Sequence, residues 1–196
     1  SELREILLFK DKNYSLFPGT SSICIVSHID TLPGNKVMLQ RKNNIITNIR
    51  GLLGADDRAG VYAAMRLYNE APKDQKPSLL FTDLEETGGI GAKQAAKELQ
   101  LPDVNLFIEL DRQGCNEYVT YTDQPEKIHK YIQSFGFRGE YGSYSDIADL
   151  SPALQIPAVN LSVGYYRQHT HKEYLVVDEL ELTINRVKSM LNNPPP

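Results

Sequence analysis

Five short polar clusters are spread along this chain, and each one follows an apolar run. They are His28-Ile-Asp30, Asp56-Asp57, Glu85-Glu86, Asp111, and the pair His169 and His171. Histidine and carboxylate side chains together form the borderline ligand mixture that suits zinc or a neighbouring first-row metal. Because the clusters lie far apart in the sequence, only folding could bring them together. We expect them to form one metal centre.

His28 and Asp30 share one side of an extended segment, because side chains of a strand alternate with a period of two. A carboxylate bonded to the far ring nitrogen of a metal-bound histidine fixes its tautomer. The spacing therefore permits a ligand and a residue that orients it. A strand-end histidine that is simply capped by a carboxylate has the same spacing.

Asp56 and Asp57 lie between Gly54 and Gly60, where a helix is predicted to begin. Helix capping explains one acid and leaves Asp56 without a role. A carboxylate can bridge two cations, and the glycines permit a close approach of the backbone. We therefore assign capping to Asp57 and metal binding to Asp56.

Glu85 and Glu86 follow a predicted strand, and adjacent side chains point apart. One could bind metal while the other meets a metal-bound water, although a solvated turn would also carry charge. The remaining clusters are ambiguous. Glu109 shares a face with Asp111, so alternation cannot choose between them, and His169 and His171 present the same choice.

Strands alternate with helices along the chain, which indicates a parallel sheet covered on both faces. We predict strands at 23–27, 78–83, 104–110, 118–121 and 158–163, helices at 57–70, 92–99, 126–135, 147–154 and 178–191, and a hairpin joining 37–40 to 45–49. The predicted fold is α/β, a three-layer α/β/α sandwich with a mixed, mostly parallel central sheet, to which the hairpin adds antiparallel edges. The polar clusters fall at the carboxyl ends of the strands, where such sheets bind ligands.

The composition is that of an ordinary globular protein, with 196 residues, 41% hydrophobic residues and a net charge of -4. The basic residues are scattered, so the sequence predicts no positively charged patch that would bind nucleic acid or an anionic membrane. No apolar run reaches the roughly 18 residues of a membrane span. A small substrate is the expected partner.

Residues 1–10 are typical of an amphipathic helix start rather than a signal segment, and Cys24 and Cys115 form no disulfide framework. We therefore expect a cytoplasmic protein.

The chain resembles the co-catalytic zinc exopeptidases, which include aminopeptidases, tripeptidases, carboxypeptidases and aminoacylases. The resemblance runs from about residue 23 to residue 182. It is carried by six segments in the family's order: Ser27-His28-Ile29-Asp30, Gly54-Ala55-Asp56-Asp57, Glu85-Glu86-Thr87-Gly88, Leu110-Asp111, Ser145-Asp146 and His169-Thr170-His171-Lys172-Glu173-Tyr174.

The resemblance implies a role for each residue. His28 and Asp111 would bind one Zn²⁺, Glu86 and His169 the other, and Asp56 would bridge them, with Co²⁺ or Mn²⁺ as alternative metals. Asp30 would orient His28, and the Asp56–Asp57 peptide would be cis. The family pattern of histidine, Thr or Ser, two further residues and an acid selects His169 over His171, and it also selects Asp111 over Glu109.

The implied activity is hydrolysis of a peptide bond, most simply the N-terminal bond, by water held between the two metals, with Glu85 as general base. An N-acyl-amino-acid deacylase or carboxypeptidase could use the same site. A glutaminyl-cyclase-like transferase is a more distant alternative. A catalytically silent metal-binding homologue is also compatible with the fold, although every ligand and the base are present.

Many members of the family insert a lid or dimerisation domain near the first histidine or before the last one. The segments between His28 and Asp56 and between Asp111 and His169 are too short for one. We therefore expect residues 1–196 to form a single catalytic domain whose loops bind the substrate. Candidate substrate contacts are Tyr144, Tyr165, Tyr166 and Arg167, although ordinary surface packing of tyrosines is an equal explanation.

Overall fold

The computed structural model describes residues 12–34 and 36–195, which form eleven strands and five helices. The strands are β1 (Tyr14–Phe17), β2 (Ile23–His28), β3 (Leu39–Lys42), β4 (Ile45–Asn48), β5 (Ser78–Thr82), β6 (Leu106–Arg112), β7 (Glu117–Val119), β8 (Arg138–Gly139), β9 (Ala158–Ser162), β10 (Tyr165–Tyr166) and β11 (Tyr174–Val176). The helices are α1 (Ala55–Glu70), α2 (Ile90–Glu98), α3 (Glu126–Ser134), α4 (Ile147–Leu154) and α5 (Val177–Asn192).

Seven strands form a central sheet in the order β1-β5-β2-β6-β9-β7-β8. The strands β5, β2, β6 and β9 are parallel, while β1 pairs antiparallel with β5 and β7 pairs antiparallel with β9; the edge strand β8 is parallel to β7. Strands β2, β5 and β9 are buried along their whole length, because helices cover both faces of the sheet. Their apolar runs are therefore nearly continuous, as the sequence indicated.

Alternate residues of each central strand belong to two different hydrophobic cores. Ile23 and Ile25 pack on the side of α1, α3 and α5, whereas Cys24 and Val26 pack on the side of α2 and α4. This alternation divides the molecule into helices, sheet and helices. The predicted three-layer α/β/α sandwich with a mostly parallel sheet is confirmed.

The hairpin was predicted correctly, but its place in the fold was not. β3 and β4 pair antiparallel, as predicted. However, β4 also pairs with β11, and β11 pairs with β10, so the hairpin belongs to a separate four-stranded sheet. The antiparallel pairings of the central sheet are instead those of β1 with β5 and of β7 with β9. The hairpin sequence specifies a turn between two strands, but its partner strand lies about 130 residues away and is chosen by tertiary contacts.

The other elements agree with the predicted ones within a few residues at each end, and helix α4 has the predicted bounds. Four short strands, β1, β8, β10 and β11, were not predicted, because two to four residues carry little periodicity. The predicted helix start at residues 1–10 lies outside the described residues. Among residues 12–34 and 36–195, no helix combines the length and apolar character that a membrane-spanning helix requires.

Candidate metal centre

His28 is the last residue of β2 and is almost fully buried. Its Nδ1 lies 2.9 Å from the backbone carbonyl oxygen of Asp30 and 3.3 Å from the Asp30 carboxylate. Both of these partners only accept hydrogen bonds, so Nδ1 carries a proton and Nε2 is the ring atom that would bind a metal, with loss of any proton held there. Nε2 points to Asp56 Oδ1 at 2.9 Å and Asp111 Oδ1 at 3.6 Å.

The Asp30 carboxylate also holds the loop after β5. Its two oxygens accept the backbone N–H groups of Glu85 at 3.0 Å and Glu86 at 3.2 Å. Asp30 therefore contacts His28 mainly through its carbonyl group and fixes the two glutamates through its side chain. This second contact was not foreseen from the sequence.

Asp56 and Asp57 occupy the first turn of α1, and the peptide bond between them is cis, as the resemblance implied. Gly54 precedes them with φ 65°, a left-handed conformation that glycine adopts at little cost. Asp57 is fully buried, and its carboxylate accepts the N–H of Gly60 at 3.0 Å and that of His28 at 3.2 Å. It thus caps the helix, as predicted, and also ties the helix to the end of β2.

Asp111 lies near the end of β6, where the pairing with β9 becomes irregular between Glu109 and Arg112. Its Oδ1 accepts the hydroxyl of Tyr165 at 3.0 Å, and its Oδ2 accepts the hydroxyl of Ser145 at 3.0 Å. The carboxylate is therefore held in place from two further segments of the chain. Burial raises the pKa of Asp111, but the nearby His28 overcomes this effect and lowers it below the usual value.

His169 lies between β10 and β11 with φ 63°, which is uncommon for a residue with a side chain. Its Nε2 is 3.0 Å from Glu86 Oε2 and 3.2 Å from Asp56 Oδ2. Unlike His28, it is exposed. The small sheet therefore delivers His169, and α1 delivers Asp56, so the expectation that each ligand follows a strand of the central sheet was wrong for these two residues.

The five residues fall into two groups that share one carboxylate. His28, Asp56 and Asp111 form the first group, and Asp56, Glu86 and His169 form the second, with the ligand atoms of each group within 4.8 Å of one another. One oxygen of Asp56 faces each histidine. This is the arrangement that a carboxylate bridging two cations requires.

The electrostatics of the cluster fit divalent cations. Burial, followed by the charge of Asp111, raises the pKa of Asp56 to about 7, and the same two causes raise that of Glu85 to about 8. Burial opposes protonation of His28, yet the charge of Asp111 raises its pKa well above the ordinary value. Buried carboxylates are in excess over positive charge here, and bound cations would supply the compensation. His, Asp and Glu are also the ligand types of zinc.

Glu85 stands beside the second group without belonging to it. Its side chain is half-buried, and within the described part of the chain nothing donates a hydrogen bond to its carboxylate. Glu109 is fully buried below the cluster, where its carboxylate accepts the N–H of Asp146 at 3.1 Å. His171 is exposed and belongs to neither ligand group. The structure thus places Glu109 and His171 outside the two groups of potential ligands.

A cavity of about 250 Å³ opens beside Asp111. Four tyrosines line it together with Asp111 and Arg112: Tyr121, Tyr141, Tyr144 and Tyr165. We call it the tyrosine cavity. Two of the predicted substrate contacts, Tyr144 and Tyr165, are therefore beside the cluster. Tyr166 instead stacks on Tyr174 and donates to Glu179, and Arg167 does not line this cavity.

Glu173 is a positioning residue that the sequence reasoning missed. Its buried carboxylate accepts four backbone N–H groups at the start of α1, from Leu53 (2.9 Å), Gly54 (2.8 Å), Ala55 (2.7 Å) and Asp56 (3.2 Å). An anion at a helix N-terminus is stabilised by these donors. Glu173 joins the loop of His169 to the turn of Asp56. The sequence did hold a signal for this role, because Glu173 is the acid of the motif that begins at His169. That motif served only to select His169 over His171.

Glu173→Gln should weaken metal binding without removing a ligand. The amide would turn N–H donors toward backbone N–H groups, which disturbs the turn that aims Asp56. We expect a lower melting temperature and about 10- to 100-fold weaker zinc affinity, measured by competition with a chromogenic chelator. The exposed Glu140→Gln is the matched control. Unchanged zinc affinity in Glu173→Gln would contradict this role.

Comparisons with known proteins agree with this geometry. The chain matches the model of peptidase family M28 over residues 10–174. No curated protein matches the sequence significantly.

Several solved structures share the fold. Aminopeptidase PepT from Bacillus cereus ATCC 10987 has a TM-score of 0.70 and 18% identity, with 91% of this chain and 83% of that chain covered. A leucine aminopeptidase precursor from Bacteroides thetaiotaomicron has a TM-score of 0.65 and 18% identity, with 92% and 75% covered. Glutaminyl cyclase from Porphyromonas gingivalis has a TM-score of 0.65 and 15% identity, with 91% and 75% covered. At these identities the structures establish a shared fold.

The family match spans most of the chain, and it includes all five residues of the two groups: His28, Asp56, Glu86, Asp111 and His169. The resemblance noted in the sequence is therefore confirmed. The chain belongs to peptidase family M28, a family of metal-dependent peptidases within the co-catalytic zinc exopeptidases.

Proposed function

We propose that the protein is an exopeptidase that uses two Zn²⁺ ions to cleave the N-terminal peptide bond of its substrates; Co²⁺ or Mn²⁺ could replace zinc. His28 and Asp111 would hold one ion, Glu86 and His169 the other, and Asp56 both. The observation that carries the proposal is the position of Asp56, whose two oxygens face two imidazole rings, 2.9 Å from His28 and 3.2 Å from His169.

When bound, a pair of divalent cations polarises a carbonyl group and lowers the pKa of water. The chain itself must then move the proton. Glu85 has the right place for this task, because it is next to Glu86 and no described residue donates a hydrogen bond to its carboxylate. We assign it the transfer of a proton from the attacking water to the leaving amine.

Asp30 supports both parts of this machinery. Its carbonyl group and carboxylate face Nδ1 of His28, which keeps the Nε2 lone pair available for metal. Its carboxylate also fixes the backbone of Glu85 and Glu86. The Asp30 side chain thus positions both Glu86, the proposed ligand, and Glu85, the proposed base, and it holds the loop after β5 in place.

The proposal includes a single catalytic domain that works without an inserted lid. The described residues between His28 and Asp56 form the β3–β4 hairpin and lead into α1, and the segment between Asp111 and His169 contributes strands and helices to the main fold. Substrate contacts would then come from loops, including those around the tyrosine cavity. Cys24 and Cys115 are free thiols, which is compatible with the cytoplasmic location that we propose.

The test is metal analysis followed by a peptide assay. We expect two equivalents of zinc per chain and release of the N-terminal residue from peptides with a free amine. The matched N-acetylated peptides should react at least tenfold more slowly, since the amine is the feature that defines an aminopeptidase. The apo-protein prepared with a chelator is the control. Faster cleavage of the acetylated series would assign a deacylase, and two bound metals without hydrolysis of either series would contradict a peptidase.

A further inference from the structure

Arg112 is the one cationic side chain among the described residues that line the tyrosine cavity. Its Nε is buried without a hydrogen-bond partner, and no described residue forms an ion pair or ring contact with its guanidinium. Every other arginine that the structure describes is either exposed or bonded through its guanidinium, as Arg66 is to Glu70 and Arg186 to Asn116. A partly buried arginine without a partner is costly unless something else pairs with it.

The backbone explains how Arg112 reaches this cavity. Adjacent strand residues normally point to opposite faces, so Asp111 and Arg112 should diverge. The pairing of β6 with β9 shifts between Glu109 and Arg112, and such irregularities re-aim side chains beside active sites. The carbonyl oxygen of Arg112 accepts the N–H of Val163 at 2.9 Å, so its backbone is anchored in the sheet. Asp111 and Arg112 consequently line the same cavity.

The other charged group in the lining is the carboxylate of Asp111, which is already engaged by Tyr165, Ser145 and His28. The remaining lining groups are neutral, chiefly tyrosines. A guanidinium presents a planar set of donors that matches a carboxylate bidentately. The cavity of about 250 Å³ is smaller than the roughly 300 Å³ lower end of typical ligand pockets, so it suits the end of a short chain.

We propose that Arg112 binds the free α-carboxylate of the substrate, so that the enzyme prefers dipeptides and tripeptides to longer or amidated peptides. This inference deepens the proposed function and rests on it for the identity of the substrate. An acidic side chain next to the scissile bond offers the same chemistry. The experiment below distinguishes the two sources of the carboxylate.

Binding is measured by calorimetry on the zinc-loaded Glu85→Gln protein, so that the probes are not consumed. The probes are Ala-Ala, Ala-Ala amide and Ala-Asp amide. We expect Ala-Ala to bind about 10- to 100-fold more tightly than its amide, as a charge-assisted hydrogen-bond pair would give. Adding Arg112→Gln should bring the ratio to about one, and Arg112→Lys should restore part of it. Arg41→Gln, on the exposed β3, should leave the ratio unchanged.

Equal binding of Ala-Ala and its amide, or a preference that survives Arg112→Gln, would overturn the proposal, as would the absence of binding by all three probes. A preference for Ala-Asp amide that Arg112→Gln abolishes keeps the anion site and assigns it to an acidic side chain. The peptidase itself is judged separately by hydrolysis with the wild-type protein. A protein that binds Ala-Ala through Arg112 but cleaves no peptide would retain the carboxylate site and lose the proposed function.

Discussion

Replacing Glu85 with glutamine should leave the zinc content at the wild-type level and lower turnover by about 10²- to 10⁴-fold, the usual contribution of a general base. Glutamine has nearly the same shape, and no described residue donates a hydrogen bond to the carboxylate that it replaces. The backbone N–H bond to Asp30 also survives the change. The loss should therefore be one of proton transfer, seen mainly in kcat, with metal content measured on the same sample.

Glu86→Gln is the informative comparison, because the two residues are adjacent and the substitutions are chemically identical. Glu86 lies 3.0 Å from His169 within the second ligand group, so its replacement should lower zinc content as well as turnover. The exposed Glu140→Gln should change neither quantity. If Glu85→Gln turned over a validated peptide at the wild-type rate, the base would have to be another group.

Asp56→Ala should abolish the paired metal site. Removing this carboxylate takes one oxygen from each ligand group at once, whereas removal of any other ligand affects one group. We expect fewer than two zinc ions per chain after gel filtration and loss of at least 10³-fold in activity, as expected when a two-metal site is reduced to one. Both quantities are measured by elemental analysis and by the peptide assay.

The fold should survive Asp56→Ala, since the backbone N–H of residue 56 remains bound to Glu173 and Asp57 remains as the helix cap. Circular dichroism and thermal denaturation check this point. Asp74→Ala, in an exposed loop, is the control for loss of an aspartate. Two tightly held zinc ions in folded Asp56→Ala would rule out the bridging role.

The sequence predicted the sheet well because the relevant signal is local. Residues 23–26 and 79–81 are continuous apolar runs, and such runs are typical of parallel strands buried on both faces. The ligand types were also visible, since histidines and acids directly follow these runs. Alternation alone left Glu109 and Asp111 equivalent; the structure buries the first beneath the cluster and brings the second to His28.

The local pattern of apolar and polar residues could not predict contacts between distant segments. Glu173 reaches the start of α1 across about 118 residues, and Asp30 reaches Glu85 across 55. Each is an ordinary charged residue in its own segment. The importance of these residues appears only when the folded chain places backbone N–H groups around their carboxylates.

The sequence by itself determined the three-layer class of fold, the chemical nature of the site and its family, because strand periodicity and side-chain type are properties of short segments. Only the tertiary structure decided that the hairpin joins a second sheet, that Asp56 faces two histidines, and that Arg112 turns into the tyrosine cavity without a partner. These features depend on strand pairing and on a register shift between β6 and β9, which are set by contacts between segments far apart in the chain.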